Sequence, residues 1–245
     1  MLQDCDKMSG RIGTFYGVGI GPGDPDLITL KALKILRDSH VICAPRSSED
    51  RESLALSIVK KAIKKDFKII EPIFPMIKNT KTLRKYWDRA AKIIFDELKK
   101  GKNVAFVTMG DPLFYSTFEY VFKTMKKNFP KVKIKTIPGV TSLSACLAEL
   151  NLPLAEKDEK IAIMPATYGI KKLKEFSKFF NTIILMKVSR NFDKIVNSLD
   201  KIGLEKNAIF VSRCGSEHFF SSGINSMRGK KVDYFSMVII KGYKK

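Results

Sequence analysis

The sequence predicts an α/β protein built from two α/β domains. Short apolar runs that are typical of strands alternate with amphipathic runs that are typical of helices. Several of the strands are followed by glycine-rich or Gly-Asp-Pro turns, as in strand-to-helix connections. A segment rich in Pro, Glu and Lys at 150–160 interrupts the alternation. We place the N-terminal domain at 11–137 and the C-terminal domain at 138–245.

The first domain is expected to contain five strands and four helices. The strands are predicted at 12–20, 40–44, 67–71, 103–108 and 132–137, and the helices near 25–38, 52–65, 80–100 and 116–127. In the first three helices apolar residues recur at every third or fourth position, which gives each helix one apolar face. These faces carry Leu27, Leu30, Leu33 and Leu36, then Leu54, Ile58 and Ala62, then Leu83, Trp87, Ala90, Ile94 and Leu98.

Local signals predict where two of these helices begin and end. Asp24 is a good N-cap for the first helix, and Pro25 suits the first helical position because its missing N–H is not needed there. Gly101 follows the third helix and is the residue type that most often ends a helix in the left-handed conformation.

The second domain repeats the alternation. A helix of small residues opens near 142, and further helices are expected near 170–180 and 191–202. Strands are predicted at 160–164, 182–188, 207–212 and 233–241. The last two of these strands are expected to pair in antiparallel fashion.

Composition limits the classes of function. Of the 245 residues, 44% are hydrophobic, which is enough for a substantial core. No apolar run has membrane length and the first ten residues are polar, so we expect a cytoplasmic protein with no signal peptide and no membrane partner. The two histidines and four scattered cysteines argue against a zinc site or a disulfide framework. The cysteines are Cys5, Cys43, Cys146 and Cys214.

The net charge of +20 has three interpretations. It could mark nucleic-acid binding, or it could steer a polyanionic small substrate into a cleft. It could also be a solvated surface, since many lysines occur on the polar faces of amphipathic helices. The last interpretation accounts for most of the charge, which therefore does not choose a function by itself.

A glycine-rich loop at 17–26 follows the first strand. It is similar to a dinucleotide-binding fingerprint, but the acid expected after the second strand is missing, which disfavours a nicotinamide dehydrogenase. The lysine of a phosphate-binding P-loop is also absent, so nucleotide hydrolysis has no support. Asp24 in this loop is either a purely structural cap or part of a site.

The segment 110–118 follows the fourth strand and is the most informative motif of the chain. In open α/β sheets ligands bind outside the carboxyl ends of strands. Gly110 lets the backbone approach a ligand closely, and Asp111 can accept hydrogen bonds from ribose hydroxyls or an ammonium group. The same Gly-Asp-Pro sequence also makes an ordinary turn.

A third motif, at 137–142, opens the helix of small residues. Thr141 or Ser142 can cap this helix. The free N–H groups of the helix start and these hydroxyls can also form a polar cradle for a ligand, and the two roles are compatible.

These three motifs, in this order and spacing, resemble those of the tetrapyrrole methylases, which use S-adenosylmethionine. The resemblance runs from about Ile12 to the C-terminus. Residues 44–47, 53–55, 74–76, 110–118 and 234–236 are similar to the branch that methylates C(20) of precorrin-2 or cobalt-factor II in cobalamin synthesis. Whether the substrate carries cobalt stays open.

The resemblance implies a cofactor in the cleft between the two domains and no protein-bound metal. It implies that the following residues contact S-adenosylmethionine: Pro22, Met109, Gly110, Asp111, Phe114, Thr141, Ser142, Met186 and Cys214. Several relatives have glycine at the position of Met109. Core packing is the simpler role for Met186, and Cys214 can serve only to fill space.

The resemblance also implies that a ring carbon of the substrate attacks the sulfonium methyl group in line. Tyr115 and Asp24 are the candidates for the base that removes the ring proton afterwards. The substrate implied by the family carries eight carboxylates, for which Arg46, Arg190 and Arg213 are the predicted partners because arginine binds carboxylates in bidentate fashion. We expect a homodimer, as is common in the family, and no nucleic-acid partner.

Two other functions stay open. Related enzymes methylate ribosomal RNA or a translation factor, and the basic charge would suit RNA. A non-catalytic module that holds a tetrapyrrole or a nucleotide is the second alternative.

Overall fold

The computed structural model describes residues 11–50, 52–77 and 79–242. Cys5 lies outside this range. The chain forms two compact units, the first ending at Thr141 and the second beginning at Ser142. The predicted domain limits, 11–137 and 138–245, lie close to this division and stay predictions.

The first unit contains a five-stranded parallel sheet with four helices. Its strands are β1 (Phe15–Gly19), β2 (Val41–Cys43), β3 (Lys68–Ile70), β4 (Val104–Thr108) and β5 (Ile134–Ile137). Its helices are α1 (Leu30–Asp38), α2 (Leu54–Ala62), α3 (Thr80–Leu98) and α4 (Phe118–Asn128). The strand order is β3-β2-β4-β1-β5, and all neighbours are parallel.

Both faces of this sheet are covered, which is usual for a parallel sheet. One core packs Phe15 and Phe106 of the sheet against α3 and against α4, which contributes Phe118. The other core packs Val18 and Val107 against α1 and α2. The buried strands therefore hold the segments that follow them on a rigid base.

The start of the first helix differs from the prediction. Asp24 does act as an N-cap and Pro25 does occupy a first helical position, but the element they open is a short 3-10 helix at Pro25–Leu27. The α-helix begins at Leu30, because the Thr29 side chain caps it by accepting the Ala32 N–H at 3.1 Å. The assignment of Leu30 to the apolar face was wrong, since at this first helical position it is 86% exposed. The predicted glycine end of α3 is confirmed by Gly101, with φ of 76°.

The second unit contains a mixed five-stranded sheet. Its helices are α5 (Ser142–Glu149), α6 (Ala166–Phe176) and α7 (Phe192–Asp200). Its strands are β6 (Ile161–Pro165), β7 (Thr182–Met186), β8 (Ala208–Ser212), β9 (Phe220–Gly223) and β10 (Ser236–Lys241). The order is β6-β7-β10-β8-β9, in which β6 and β7 are parallel and the other neighbours antiparallel.

The predicted antiparallel pairing of β8 with β10 is confirmed, but two elements differ. Helix α6 begins directly after β6, at Ala166 rather than near 170. It contains Gly169, where an added Cβ would lie 2.5 Å from a Leu185 methyl carbon, so tertiary packing and not helix propensity explains this glycine. Strand β9 was missed because its four residues are mostly exposed and lack an apolar alternation.

No helix of the described residues combines the length and the apolar character that a membrane-crossing segment needs.

Candidate functional site

The three sequence motifs follow three neighbouring strands of the first unit. β1 lies between β4 and β5, and the three strands are parallel. Their carboxyl ends therefore meet at one edge of the sheet, where ligands bind in open α/β folds. The chain order of these strands would not by itself place the motifs together; the sheet order does.

Three glycines, Gly19, Gly110 and Gly139, bring the ends of these strands into backbone contact, and we call them the glycine junction. A Cβ added to Gly139 would lie 2.2 Å from the Gly110 carbonyl oxygen, and one added to Gly19 would lie 2.5 Å from the same oxygen. Both distances are shorter than any tolerated contact, so only glycine permits this approach.

A hydrogen bond from Gly110 to a fourth glycine, Gly21, closes the junction. The Gly110 N–H donates to the Gly21 carbonyl oxygen at 2.7 Å, and the two residues form an isolated antiparallel bridge. Both have positive φ, 65° for Gly110 and 79° for Gly21, which glycine adopts without strain. The loop after β1 and the loop after β4 are thus fixed to each other.

Asp111 joins the loop after β4 to the segment after β5. Its Oδ2 accepts the Gly139 N–H at 3.1 Å, and its Oδ1 accepts the Leu113 N–H at 2.8 Å. Each carboxylate oxygen has a second lone pair, so these bonds leave acceptor capacity for a ligand hydroxyl or ammonium group. The bond to Leu113 belongs to the ordinary turn that the sequence allowed, whereas the bond to Gly139 is a structural role that sequence reasoning did not identify.

The loop after Asp111 displays two aromatic side chains. The Phe114 and Tyr115 ring centroids lie 5.1 Å apart, and Tyr115 is 43% exposed. Tyr115 has φ of 54°, a left-handed conformation that is uncommon for a residue with a side chain and that is found most often where function requires it. The loop ends at Ser116, whose Oγ lies 2.9 Å from the Thr108 Oγ1 and accepts the Phe118 N–H at 3.1 Å.

The remaining predicted residues of the first unit, and Ser142 at the start of the second, are near these loops in sequence. Pro22 and Met109 are half-buried, directly after Gly21 and directly before Gly110. Thr141 is half-buried, and Ser142 is the first residue of α5. The Asp24 side chain accepts the Asp26 N–H at 2.9 Å, so its capping role is observed, and its role as a base stays a prediction.

In the second unit, Met186 and Cys214 lie at the same end of the second sheet, where β7 and β8 end and β10 begins. Met186 ends β7 and is paired with Met237 of β10, and Cys214 follows β8, the other neighbour of β10. Cys214 is buried and contacts Cys146 of α5. The hydrogen bond with the Cys214 thiol and burial both raise the pKa of Cys146, so the Cys146 thiol stays protonated at neutral pH and is a poor nucleophile.

Two of the three predicted carboxylate-binding arginines are already paired with acids. Arg213 donates from Nε and Nη2 to the Asp233 Oδ2, at 3.1 and 2.8 Å. The Arg46 Nε lies 3.5 Å from the Glu71 Oε1. Arg190 is exposed on a short 3-10 helix after β7. All three stay predictions, and the acid partners were not visible in the sequence because they are distant along the chain.

Within the part of the chain that the structure describes, no three His, Cys, Asp or Glu side chains are grouped as a metal site.

Comparison with known proteins extends over nearly the whole chain. A protein of Methanocaldococcus jannaschii named "Probable cobalt-precorrin-2 C(20)-methyltransferase" is 37% identical over 244 residues, covering 97% of this chain and 100% of its own. A Precorrin-2 C(20)-methyltransferase of a Sinorhizobium species is 29% identical over 246 residues, covering 97% and 99%.

A solved structure shows the same fold. It is the uroporphyrin-III C-methyl transferase of Thermus thermophilus complexed with S-adenosylhomocysteine, which superposes with a TM-score of 0.65 at 20% identity, covering 93% of this chain and 97% of that one. The family model described as Tetrapyrrole (Corrin/Porphyrin) Methylases matches residues 14–221. The chain therefore belongs to the tetrapyrrole methylase family.

Proposed function

We propose that this protein transfers a methyl group from S-adenosylmethionine to C(20) of precorrin-2 or of cobalt-factor II, the cobalt form, in cobalamin biosynthesis. The observation that carries the proposal is the meeting of three family motifs at one sheet edge, around the glycine junction. Relatives named as C(20)-methyltransferases, similar over nearly their full length, support the choice of substrate.

The residues at the glycine junction fit a cofactor with a ribose, an ammonium group and a carboxylate. Backbone groups are accessible there because glycines carry no side chain, and Gly110 and Asp111 are half-buried rather than enclosed. The Asp111 carboxylate has acceptor sites to spare for hydroxyl or ammonium donors. Phe114 offers an apolar surface beside them, while contacts by Pro22, Met109, Thr141, Ser142, Met186 and Cys214 are part of the proposal.

S-adenosylmethionine supplies a methyl group that is electrophilic because it is bound to a sulfonium sulfur. A carbon of the tetrapyrrole forms a new bond to this methyl carbon while the bond from the methyl carbon to the sulfur breaks. The residues of this chain need to align the two molecules, and such alignment contributes up to roughly 7–11 kcal/mol in favourable cases. The methylated carbon then loses a proton. Tyr115, in the loop after β4, and Asp24, in the loop after β1, are the proposed acceptors, and both are exposed.

The charge of the chain suits a substrate with several carboxylates. With 45 Lys and Arg against 25 Asp and Glu, the molecule attracts polyanions over a distance. Arg46, Arg190 and Arg213 are the proposed direct partners. We also propose a homodimer in the cytoplasm that needs neither nucleic acid nor a membrane.

Methyl transfer from radiolabelled S-adenosylmethionine tests the proposal. Three methyl acceptors are compared: precorrin-2, its cobalt form (cobalt-factor II, here used as cobalt-precorrin-2) and ribosomal RNA. Ribosomal RNA is the alternative substrate that the basic charge favours. We expect label in one or both tetrapyrroles, and carbon-13 NMR of the product should place the new methyl group at C(20). Label in RNA with both tetrapyrroles inert would exclude the proposal, and binding without transfer to any acceptor would indicate a non-catalytic module.

A further inference from the structure

Two strands of the second unit are followed directly by residues with a left-handed backbone. Lys187 follows β7 with φ of 57°, and Arg213 follows β8 with φ of 53°. Residues with a side chain rarely adopt this region, and neither lysine nor arginine is among the types that favour it. Each of the two is next to a proposed cofactor contact, Met186 in β7 and Cys214 after β8. Backbone strain of this kind is found most often at functional sites.

The conformation of Arg213 is held by hydrogen bonds to both its backbone and its side chain. Its N–H donates to the Phe235 carbonyl oxygen at 2.9 Å, and its carbonyl oxygen accepts the Ser216 hydroxyl at 2.8 Å. Its guanidinium donates from Nε and Nη2 to the Asp233 Oδ2, at 3.1 and 2.8 Å. A strained conformation persists where the surrounding structure determines it in this way.

Asp233 connects the turn at Arg213 to the segment that precedes β10. Its Oδ1 accepts the Phe235 N–H at 2.8 Å, while its Oδ2 accepts the Arg213 guanidinium. Because Phe235 in turn accepts the Arg213 N–H, these three residues form a closed ring of hydrogen bonds, which we call the β8 clamp. Strand β10 lies between β7 and β8, and its start is paired with the ends of both. The β8 clamp therefore lies at the end of the sheet where the proposed cofactor contacts of this unit are found.

We infer that Asp233 is a positioning residue for cofactor binding, which holds the left-handed turn at Arg213 and thereby the proposed cofactor contact Cys214. The turn directs the chain after β8 so that Cys214 is buried and contacts Cys146 of α5. The inference rests on the proposed function and deepens it by naming a residue that supports the site of the methyl donor through another residue.

Two simpler roles of the Arg213–Asp233 pair are outcomes of the test. An exposed ion pair commonly contributes little to stability or to binding. The Arg213 guanidinium can also contact a ligand directly, because its bonds to Asp233 leave other N–H groups for a carboxylate. The inference concerns instead the backbone of Arg213, and glycine at this position adopts the same φ without strain.

The test measures the Kd for S-adenosylhomocysteine by calorimetry, with circular dichroism to establish that each variant is folded. The variants are Asp233→Ala, Arg213→Ala, Arg213→Gly and the double variant Arg213→Gly/Asp233→Ala. Methyl transfer is not the readout, because Arg213 is also a proposed partner of a substrate carboxylate.

The matched control is Asp200→Ala, which removes another arginine–aspartate pair of the same unit. Asp200 is the last residue of α7 and is paired with Arg228. The side chains of this pair are 39% and 44% exposed, against 31% and 41% for Asp233 and Arg213. The control therefore removes an ion pair of similar exposure that holds no left-handed residue.

We expect Asp233→Ala and Arg213→Ala to bind S-adenosylhomocysteine about tenfold more weakly than the parent protein, because the turn then populates its binding conformation less often. Arg213→Gly should bind within about threefold of the parent, because glycine needs no clamp to adopt a positive φ. For the same reason Asp233→Ala should have no further effect in the Arg213→Gly background. The Asp200→Ala control should match the parent.

An unchanged Kd in Asp233→Ala would overturn the inference. Equal weakening by Arg213→Ala and Arg213→Gly would also overturn it, because the guanidinium and not the backbone would then support the cofactor. If Asp233→Ala does not fold, the comparison of the two Arg213 variants decides.

The parent protein separates this failure from a failure of the proposed function. If the parent binds S-adenosylhomocysteine and methylates a tetrapyrrole while Asp233→Ala binds the ligand equally well, only the role of the β8 clamp is excluded. If the parent does not bind S-adenosylhomocysteine, both proposals fall.

Discussion

Asp111 holds two loops together with one carboxylate, and this predicts the effect of removing it. The change Asp111→Ala leaves the Gly139 and Leu113 N–H groups without their acceptor. We expect the free energy of unfolding to fall by about 1–3 kcal/mol, as for hydrogen bonds to charged groups, with the fold retained. We expect the affinity for S-adenosylhomocysteine to fall about tenfold or more, because the proposed cofactor contact is lost and the junction loosens.

Urea unfolding and calorimetric titration measure these two effects. Asp158→Ala, at an exposed position of the second unit, is the control and should change neither quantity. An unchanged affinity in the Asp111 variant would contradict both the cofactor contact and the positioning role.

At the residue scale, sequence reasoning succeeded where the cause is local. The roles of Asp24, Pro25 and Gly101 follow from their own conformational preferences and from their nearest neighbours. The bond from Gly139 to Asp111 could not be predicted, since the two residues are 28 positions apart and meet only through the sheet. The exposure of Leu30 was missed because a helix start that is shifted by a local cap changes which side chains face the core.

The glycine junction holds the ends of β1, β4 and β5 together, and we propose that the cofactor binds there. Gly139→Ala tests both points at the scale of elements. The new methyl group would meet the Gly110 carbonyl oxygen at 2.2 Å, so the ends of β1, β4 and β5 must separate. We expect a loss of about 1–3 kcal/mol in the free energy of unfolding, as for overpacking, and loss of S-adenosylhomocysteine binding.

Gly223→Ala is the matched control, because no atom lies within 4 Å of the Cβ position there. It should have little effect on either quantity. Equal behaviour of the two variants, by urea unfolding and calorimetry, would show that the junction is not tightly packed.

Helix α3 ends in a buried acid, Glu97, surrounded by three lysines. Its Oε1 accepts hydrogen bonds from Lys68 and Lys100 at 2.7 and 2.8 Å, and the Lys102 Nζ lies 3.4 Å from its Oε2. The hydrogen bonds from Lys100 and Lys68 lower the pKa of Glu97 from 4.5 to about 2. Between about pH 4.5 and about pH 2 the unfolded chain therefore binds a proton at Glu97 that the folded chain does not.

This difference predicts that the stabilisation by Glu97 is complete above about pH 4.5 and is lost as the pH falls to about 2. Glu97→Gln should lower the free energy of unfolding at pH 7 by about 1–2 kcal/mol and reduce its acid dependence in that window. Urea unfolding at several pH values measures both effects.

Glu119→Gln removes an exposed pair with Lys123 and should have almost no effect. An identical acid dependence in the Glu97 variant and the parent protein would contradict the account of this cluster.

The excess of positive charge is a property of the whole molecule. Its expected effect is to attract the proposed substrate, which carries several carboxylates, and this attraction can be measured by its dependence on salt. Attraction between a basic protein and a substrate with several carboxylates weakens when salt screens it. We expect the KM for cobalt-precorrin-2 to rise several-fold between about 0.05 and about 0.5 M NaCl, and the KM for S-adenosylmethionine to change much less. Equal salt dependence of the two KM values would show that the positive charge does not strengthen binding of the tetrapyrrole substrate.

At the scale of the whole molecule, the sequence predicted the alternation of strands and helices well, because the hydrophobic periodicity is strong. The order of the strands in the sheet could not be predicted from the sequence, and this order is what brings the three motifs together. The family resemblance supplied that step, and the order β3-β2-β4-β1-β5 now gives its physical basis. The strand β9 was not predictable because its mostly exposed residues lack an apolar alternation. The early start of α6 was not predictable because Gly169, a weak helix former, lies near its beginning and is explained by packing against Leu185.

A crystal structure with S-adenosylhomocysteine tests the central claim most directly, namely that the glycine junction forms the cofactor site. We predict electron density for the ligand in contact with Gly110 and Asp111 and beside the segment that follows β5. Density at a position remote from these loops, in a protein that methylates a tetrapyrrole, would contradict the account.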